Sequence, residues 1–151
     1  MANLTFSSIN PATDKCIGTY KQHNAQQLEK ALKNADKAYR QWSQKTIKER
    51  GQLLTAIAKV IRSNIEEYAQ LATAEMGKPI VQSRAELEKC ARTFDFYAKE
   101  GPSMLANEQI ITEAKKSFVS FQPLGVVLAI MPWNFPYWQV FRAMAPILLS
   151  G

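Results

Sequence analysis

Residues 125–142 read GVVLAIMPWNFPYWQVFR, and this stretch decides the fold. It opens on an apolar run, Val126-Val127-Leu128-Ala129-Ile130. It breaks at Met131-Pro132 and carries Trp133, Asn134, Phe135 and Pro136 in a turn. A helical pattern follows with a single charge, Arg142. The reading is strand, turn, helix. A strand apolar at every position is one covered on both faces, which points to a parallel sheet between helices. Parallel neighbours need crossovers of about a dozen residues or more. The 151 residues contain no such neighbour for this run. It is therefore expected to belong to the N-terminal part of a longer α/β protein. The alternative is a small helical protein whose strand pairs only with its hairpin.

That hairpin lies just upstream. Residues 108–112 and 117–122 are short β-prone runs around an exposed tip, Glu113-Ala114-Lys115-Lys116. Before it the period is helical. Leu28, Ala31, Leu32, Ala35, Ala38, Tyr39 and Trp42 recur at i, i+3, i+4 spacing, with Asn24 as the expected N-cap. Thr46-Ile47-Lys48-Glu49 fits a capping box that opens a second helix carrying Leu53, Leu54, Ile57, Ala58 and Ile61. Ser63-Asn64-Ile65-Glu66 fits a second box, so the helix is expected to break and restart there. Gly77 and then Pro79 mark the end of the third helix. A fourth, over 80–99, turns Val81, Ala85, Leu87, Cys90, Ala91, Phe94 and Tyr97 inward and is closed by Gly101-Pro102. At the start of the chain, Leu4, Phe6 and Ser8 alternate up to the turn signal Asn10-Pro11-Ala12-Thr13. Ile17-Gly18-Thr19-Tyr20 is expected to pair back as a short edge strand.

Composition excludes several classes. At 46% hydrophobic and 21% charged the chain is ordinary globular protein. No run approaches the ~20 apolar residues of a membrane span. The first residues, MANLTFSSINPATDK, lack a basic n-region followed by an apolar core, so the expected compartment is the cytoplasm. A net charge of +6 raises nucleic acid as a partner. Against this, Lys30, Lys33, Lys37 and Arg40 alternate with Glu29 and Asp36, the pattern of a solvated helix face. No nucleic-acid and no membrane partner is expected. Cys16 and Cys90 stand far apart without a CxxC motif, and His23 is the sole histidine, so no metal site is expected. Cys90 sits on an apolar stripe and reads as a small core residue.

Taken together, Asn10-Pro11-Ala12-Thr13, Glu75-Met76-Gly77-Lys78-Pro79, Pro123-Leu124-Gly125-Val126-Val127 and Met131-Pro132-Trp133-Asn134-Phe135-Pro136 resemble the aldehyde dehydrogenase superfamily over essentially the whole chain. The stretch Trp133 through Arg142 is most similar to its succinate-semialdehyde branch. The resemblance implies an incomplete α/β fold: N-terminal helices, a β-hairpin and the first strand and helix of a Rossmann-like parallel sheet. Residues 1–151 would form the N-terminal part of the NAD(P)-binding domain, with the catalytic domain absent and 108–122 similar to the family's subunit-contact strands. The implied activity is NAD(P)-dependent oxidation of an aldehyde, succinic semialdehyde in that branch, to the carboxylic acid. The implied partners are a small aldehyde substrate and the remainder of the enzyme or further subunits.

The resemblance also assigns roles. Asn134 falls on the family's oxyanion-hole asparagine. A neutral amide suits that position, because it meets the developing oxyanion without competing with a thiolate for charge. Read from the sequence alone, Asn134 is equally an N-cap for the helix that follows. Ile130, Met131, Pro132, Trp133 and Asn134 fall at the cofactor cleft, at the carboxyl end of the strand where open parallel sheets bind ligands. Plain core packing is the other reading of Ile130 and Met131. Arg142 falls where the succinate-semialdehyde branch grips the substrate's distal carboxylate, a task suited to a guanidinium's paired donors. Trp138, with Tyr137 and Phe141, would wall the substrate tunnel, although rings at that spacing also suit a core. Neither Cys16 nor Cys90 has the context of the family's nucleophile. The general-base glutamate also belongs to a segment outside these residues. The 151 residues alone are therefore expected to be inactive, and a non-catalytic helical interaction module is the alternative reading.

Overall fold

The computed structural model describes residues 4–151. β1 (Thr5–Ile9) and β2 (Cys16–Lys21) pair antiparallel, with Thr5 opposite Lys21 and Phe6 opposite Tyr20. Between them the Asn10 side chain accepts the Ala12 amide at 2.9 Å, and Asp14 adopts φ 56° to reverse the chain. Short polar side chains suit both tasks.

α1 (Ala25–Trp42) starts at the expected cap. Asn24 Oδ1 accepts the Gln27 amide, and Gln27 Oε1 accepts the Asn24 amide, each at 2.9 Å. The helix buries none of its residues, and Leu28 and Leu32 are more than half exposed. Trp42 ties its end to the rest of the protein, its indole N–H donating to the Leu148 carbonyl at 2.9 Å. α2 (Ile47–Ser63) opens on the expected box: Thr46 Oγ1 accepts the Glu49 amide, and the Glu49 carboxylate accepts the Thr46 amide.

The chain breaks and restarts at Asn64, as expected, but without the second box. Ser63 is still helical, so its hydroxyl reaches back and donates to the Lys59 carbonyl at 2.9 Å. α3 (Ile65–Met76) consequently begins with no side-chain cap. It ends at Gly77, whose φ of 71° is the left-handed conformation that glycine adopts without strain.

α4 (Ile80–Met104) overrides the expected stop at Gly101-Pro102. Pro102 lies in the last turn, so its missing N–H costs a single helical bond there. The residue before it has no Cβ to strike the proline ring. Gly101 is also buried where α4 meets α5 (Pro136–Ser150), and a Cβ there would overlap Leu149 Cδ2. The inward stripe of α4 differs from expectation at its start. Val81 and Ala85 are exposed, while Ser83 and Glu86 are buried. Further along, Leu87, Cys90, Ala91 and Phe94 join Leu54, Ala58 and Ile61 of α2, Ala69 of α3, and Ala145 and Leu149 of α5 in the core. Each fully buried Leu or Phe side chain contributes about 1.5–3 kcal/mol.

The hairpin forms, though shorter than expected: β3 (Glu108–Gln109) pairs antiparallel with β4 (Phe118–Val119). The run 126–130 does not become a strand. It carries no ladder, and Leu128 and Ile130 are 85% and 86% exposed. The physical reason is the absence of a parallel neighbour among the described residues: a strand exists only by pairing. Among those residues, no helix is long and apolar enough to cross a membrane.

Replacing Gly101 with valine forces a branched side chain into Leu149. The expected result is a loss of about 1–3 kcal/mol, read as a lower urea midpoint with an unchanged slope. An unchanged midpoint would contradict the close approach of α4 and α5.

Candidate functional site

The turn at 131–135 leads directly into α5. Phe135 occupies the N-cap position and offers no side-chain cap. Asn134 is therefore not the cap: it lies one residue too early and stands exposed in the turn. The first amides of α5 are met from another helix. The Tyr137 and Trp138 N–H groups both donate to Glu86 Oε1 of α4, at 3.0 and 2.8 Å. Glu86 Oε2 accepts from the Lys78 ammonium in a buried ion pair whose side chains are 5% and 2% exposed. That ammonium also lies 4.1 Å from the centroid of the Phe135 ring.

Each contact has a clear cause. The amino end of a helix carries partial positive charge and unpaired N–H groups, so a carboxylate is stabilised there. Charge-assisted hydrogen bonds are the stronger kind. Lys78 follows the Gly77 reversal directly, and its ammonium reaches Glu86 of α4 and the Phe135 ring ahead of α5. Glu86 lies on the inward stripe of α4, one turn before Cys90. Removing one partner from such a buried pair costs about 3–5 kcal/mol, because the other is left uncompensated. Sequence reasoning gave Glu86 no role and named Lys78 only as part of a motif. The available signal was an acidic residue on an apolar stripe, four positions before Cys90.

Behind the turn the rings pack as core. Phe141 meets Phe94 edge-on with centroids 5.5 Å apart and stacks on Tyr137 at 6.1 Å. The Tyr137 hydroxyl donates to the Tyr68 carbonyl at 2.9 Å. Burial, with Tyr68 and nearby carboxylates adding, pushes the Tyr137 phenol up to about 12.

The expected site residues fall into separate places. Ile130, Pro132, Trp133 and Asn134 are exposed and Met131 is half-buried among the described residues. Trp133 lines a groove of about 570 Å³ with Pro11, Leu71, Met76 and Tyr137. Trp138 lines a different cavity, about 450 Å³, between α4 and α5, with Lys78, Lys89, Phe135 and Gln139. Arg142 is exposed one helical turn beyond Trp138 and lines neither space.

Other reactive groups are placed as follows. Cys90 is fully buried, and desolvation, with Glu86 adding, pushes its thiol up to about 12. Cys16 is exposed on β2. Among the described residues no group of three or more His, Cys, Asp or Glu side chains is placed to hold a metal. Arg50 is buried with Nε and Nη1 unpaired, and desolvation lowers its pKa from the ordinary arginine value.

Residues 2–151 match the sequence profile described as the aldehyde dehydrogenase family. A succinate semialdehyde dehydrogenase, NAD(P)+, of Escherichia coli (strain K12) is 45% identical over 95% of this chain and 31% of its own length. A probable NADP+ succinate-semialdehyde dehydrogenase of Synechocystis is 41% identical over 98% of this chain and 33% of its own. The crystal structure of succinic semialdehyde dehydrogenase from Streptococcus pyogenes in complex with NADP+ superposes with a TM-score of 0.90 at 31% identity, covering 97% of this chain and 32% of that one. The chain thus spans about a third of the length of the curated relatives it matches.

The two thiols separate experimentally. Cys16 is expected to alkylate readily at pH 8 in the folded protein. Cys90 is expected to react at least on the order of a hundredfold more slowly until denaturant is added. Peptide mass mapping after iodoacetamide measures both, and equal rates would overturn the burial of Cys90.

Proposed function

Because the chain belongs to the aldehyde dehydrogenase family, we propose that it is the N-terminal part of an NAD(P)-dependent enzyme oxidising succinic semialdehyde to the acid. Residues 1–151 belong on this reading to the NAD(P)-binding domain, with 108–122 contributing to subunit contact. The names of the relatives support this choice of substrate, as does the resemblance of the Trp133 to Arg142 stretch to that branch.

The observation that supports the reading best is the turn itself. Asn134 stands exposed, ahead of a helix whose amino end is fixed by Glu86 and Lys78. Its amide is free to donate to an oxyanion that forms when a thiolate adds to the aldehyde carbonyl. The nucleophile is not Cys90, which is sealed in the core, and Cys16 lies in the N-terminal hairpin. It therefore comes from outside these residues, as does the base that activates water.

NAD(P) suits the residues present. Ile130 and Trp133 offer exposed apolar surface, 86% and 78%, to flat rings. The cofactor, when bound, accepts the hydride. What this chain contributes is an apolar wall from Ile130 to Trp133, an oxyanion donor at Asn134, and an exposed guanidinium at Arg142 for the distal carboxylate.

In the assembled enzyme, Asn134→Ala is expected to lower kcat for succinic semialdehyde by about 10²–10³-fold with little change in cofactor affinity. NAD(P)H formation measures it. An unchanged kcat, or cysteine-dependent turnover by the 151 residues alone, would contradict the assignment.

A further inference from the structure

The proposed chemistry makes no use of the buried Lys78–Glu86 pair, yet the pair lies directly behind the turn that presents Asn134. The three residues after Asn134 and the one beyond them are each restrained. The Phe135 ring lies under the Lys78 ammonium, 4.1 Å from centroid to Nζ. Pro136, at the first helical position, has a fixed φ and no N–H to satisfy. Tyr137 and Trp138 both donate their amides to Glu86 Oε1, at 3.0 and 2.8 Å. Such amides are ordinarily met by a capping side chain just ahead of the helix, but Phe135 has no polar group to offer. Lys78 sits in a held frame of its own. Across the link that carries it, the Thr73 hydroxyl of α3 and the buried Ser83 hydroxyl of α4 share a 3.2 Å hydrogen bond.

Stability alone gives no reason for the pair. Buried charges lose most of their mutual attraction to desolvation, and apolar residues of similar volume serve a core as well or better. What the pair adds is direction. Hydrogen bonds and a seated ammonium fix the start of α5 at one orientation, which apolar contact does not. Asn134 is exposed, so its backbone is held by the residues that follow it rather than by its own surroundings. We propose that Glu86 and Lys78 are positioning residues for the oxidation: they act through Asn134, keeping its amide where the oxyanion forms. The inference rests on the reading of Asn134 as the oxyanion donor and extends it to two residues on other elements. A reacting group displaced by about 1 Å loses on the order of a hundredfold in rate. The hold therefore acts on kcat, and the cofactor surface at Ile130 to Trp133, on the other side of Asn134, keeps its affinity.

The test is a double-mutant cycle on kcat in the assembled enzyme. Glu86→Asp keeps the charge but draws it one methylene back from the α5 amides. It is expected to lower kcat by about ten- to thirtyfold, with KM for NAD(P) changed by less than about twofold. In an Asn134→Ala background the same change is expected to cost less than about twofold, because the donor it positions is gone. Phe135→Leu removes the ring beneath Lys78 at a position 43% exposed, so it remains readable if the buried change does not fold. It is expected to lower kcat by about three- to tenfold, again only where Asn134 is present. An unchanged kcat, or an equal loss in both backgrounds as a merely structural role would give, overturns the inference. A loss in Asn134→Ala with none in Glu86→Asp or Phe135→Leu sinks the inference alone and leaves the reading of Asn134 standing. An unchanged kcat in Asn134→Ala itself sinks both.

Discussion

The Glu86 carboxylate holds the start of α5, and the turn that leads into it, in place. One oxygen receives the first amides of α5 and the other receives Lys78. Two helices and the link between α3 and α4 are joined at that point. Lys78 comes from the link between α3 and α4, Glu86 from the inward side of α4, and the amides from α5. The Lys78 ammonium, seated on the ring of Phe135, fixes the residue immediately after Asn134. A helix that starts without a capping side chain needs its N–H groups satisfied by something else. Here a distant carboxylate serves, and it thereby couples the position of Asn134 to the packing of the helical core.

The other side of the molecule is less satisfied. The run 126–130 carries no ladder, and its apolar side chains are largely exposed. α1 leaves Leu28 and Leu32 uncovered. These are the surfaces that a parallel sheet with helices on both faces would cover. The relatives extend well beyond the aligned third, so the uncovered surface and the aligned length agree.

The helices were legible because their signals are local. Asn24 with Gln27, Thr46 with Glu49, and Gly77 before Pro79 each act within a turn of chain, and each behaves as its chemistry dictates. The failures share a different cause. Ser63 had two local hydrogen bonds open to it, and its own helix took the hydroxyl. Gly101-Pro102 reads as a stop, but burial against Leu149 makes the missing Cβ an asset and carries α4 onward. The run 126–130 has strand composition, yet a strand is a property of two segments. The pairing of Glu86 and Lys78 was missed for the same reason: Glu86's partners lie 51 and 8 residues away in sequence, and only its acidic side chain on an apolar stripe hinted at it. Of the site, the turn and its asparagine could be read from the chain, whereas the carboxylate that positions them could not.

Amide hydrogen exchange at Tyr137 and Trp138 tests the central claim most directly. With Glu86 in place, both amides should exchange as slowly as those in the middle of α5, although they lie in its first turn, where N–H groups are ordinarily open to water. In Glu86→Ala they should exchange fast while Phe94 and Ala91 stay protected. Fast exchange at Tyr137 and Trp138 in the unaltered protein would contradict the account.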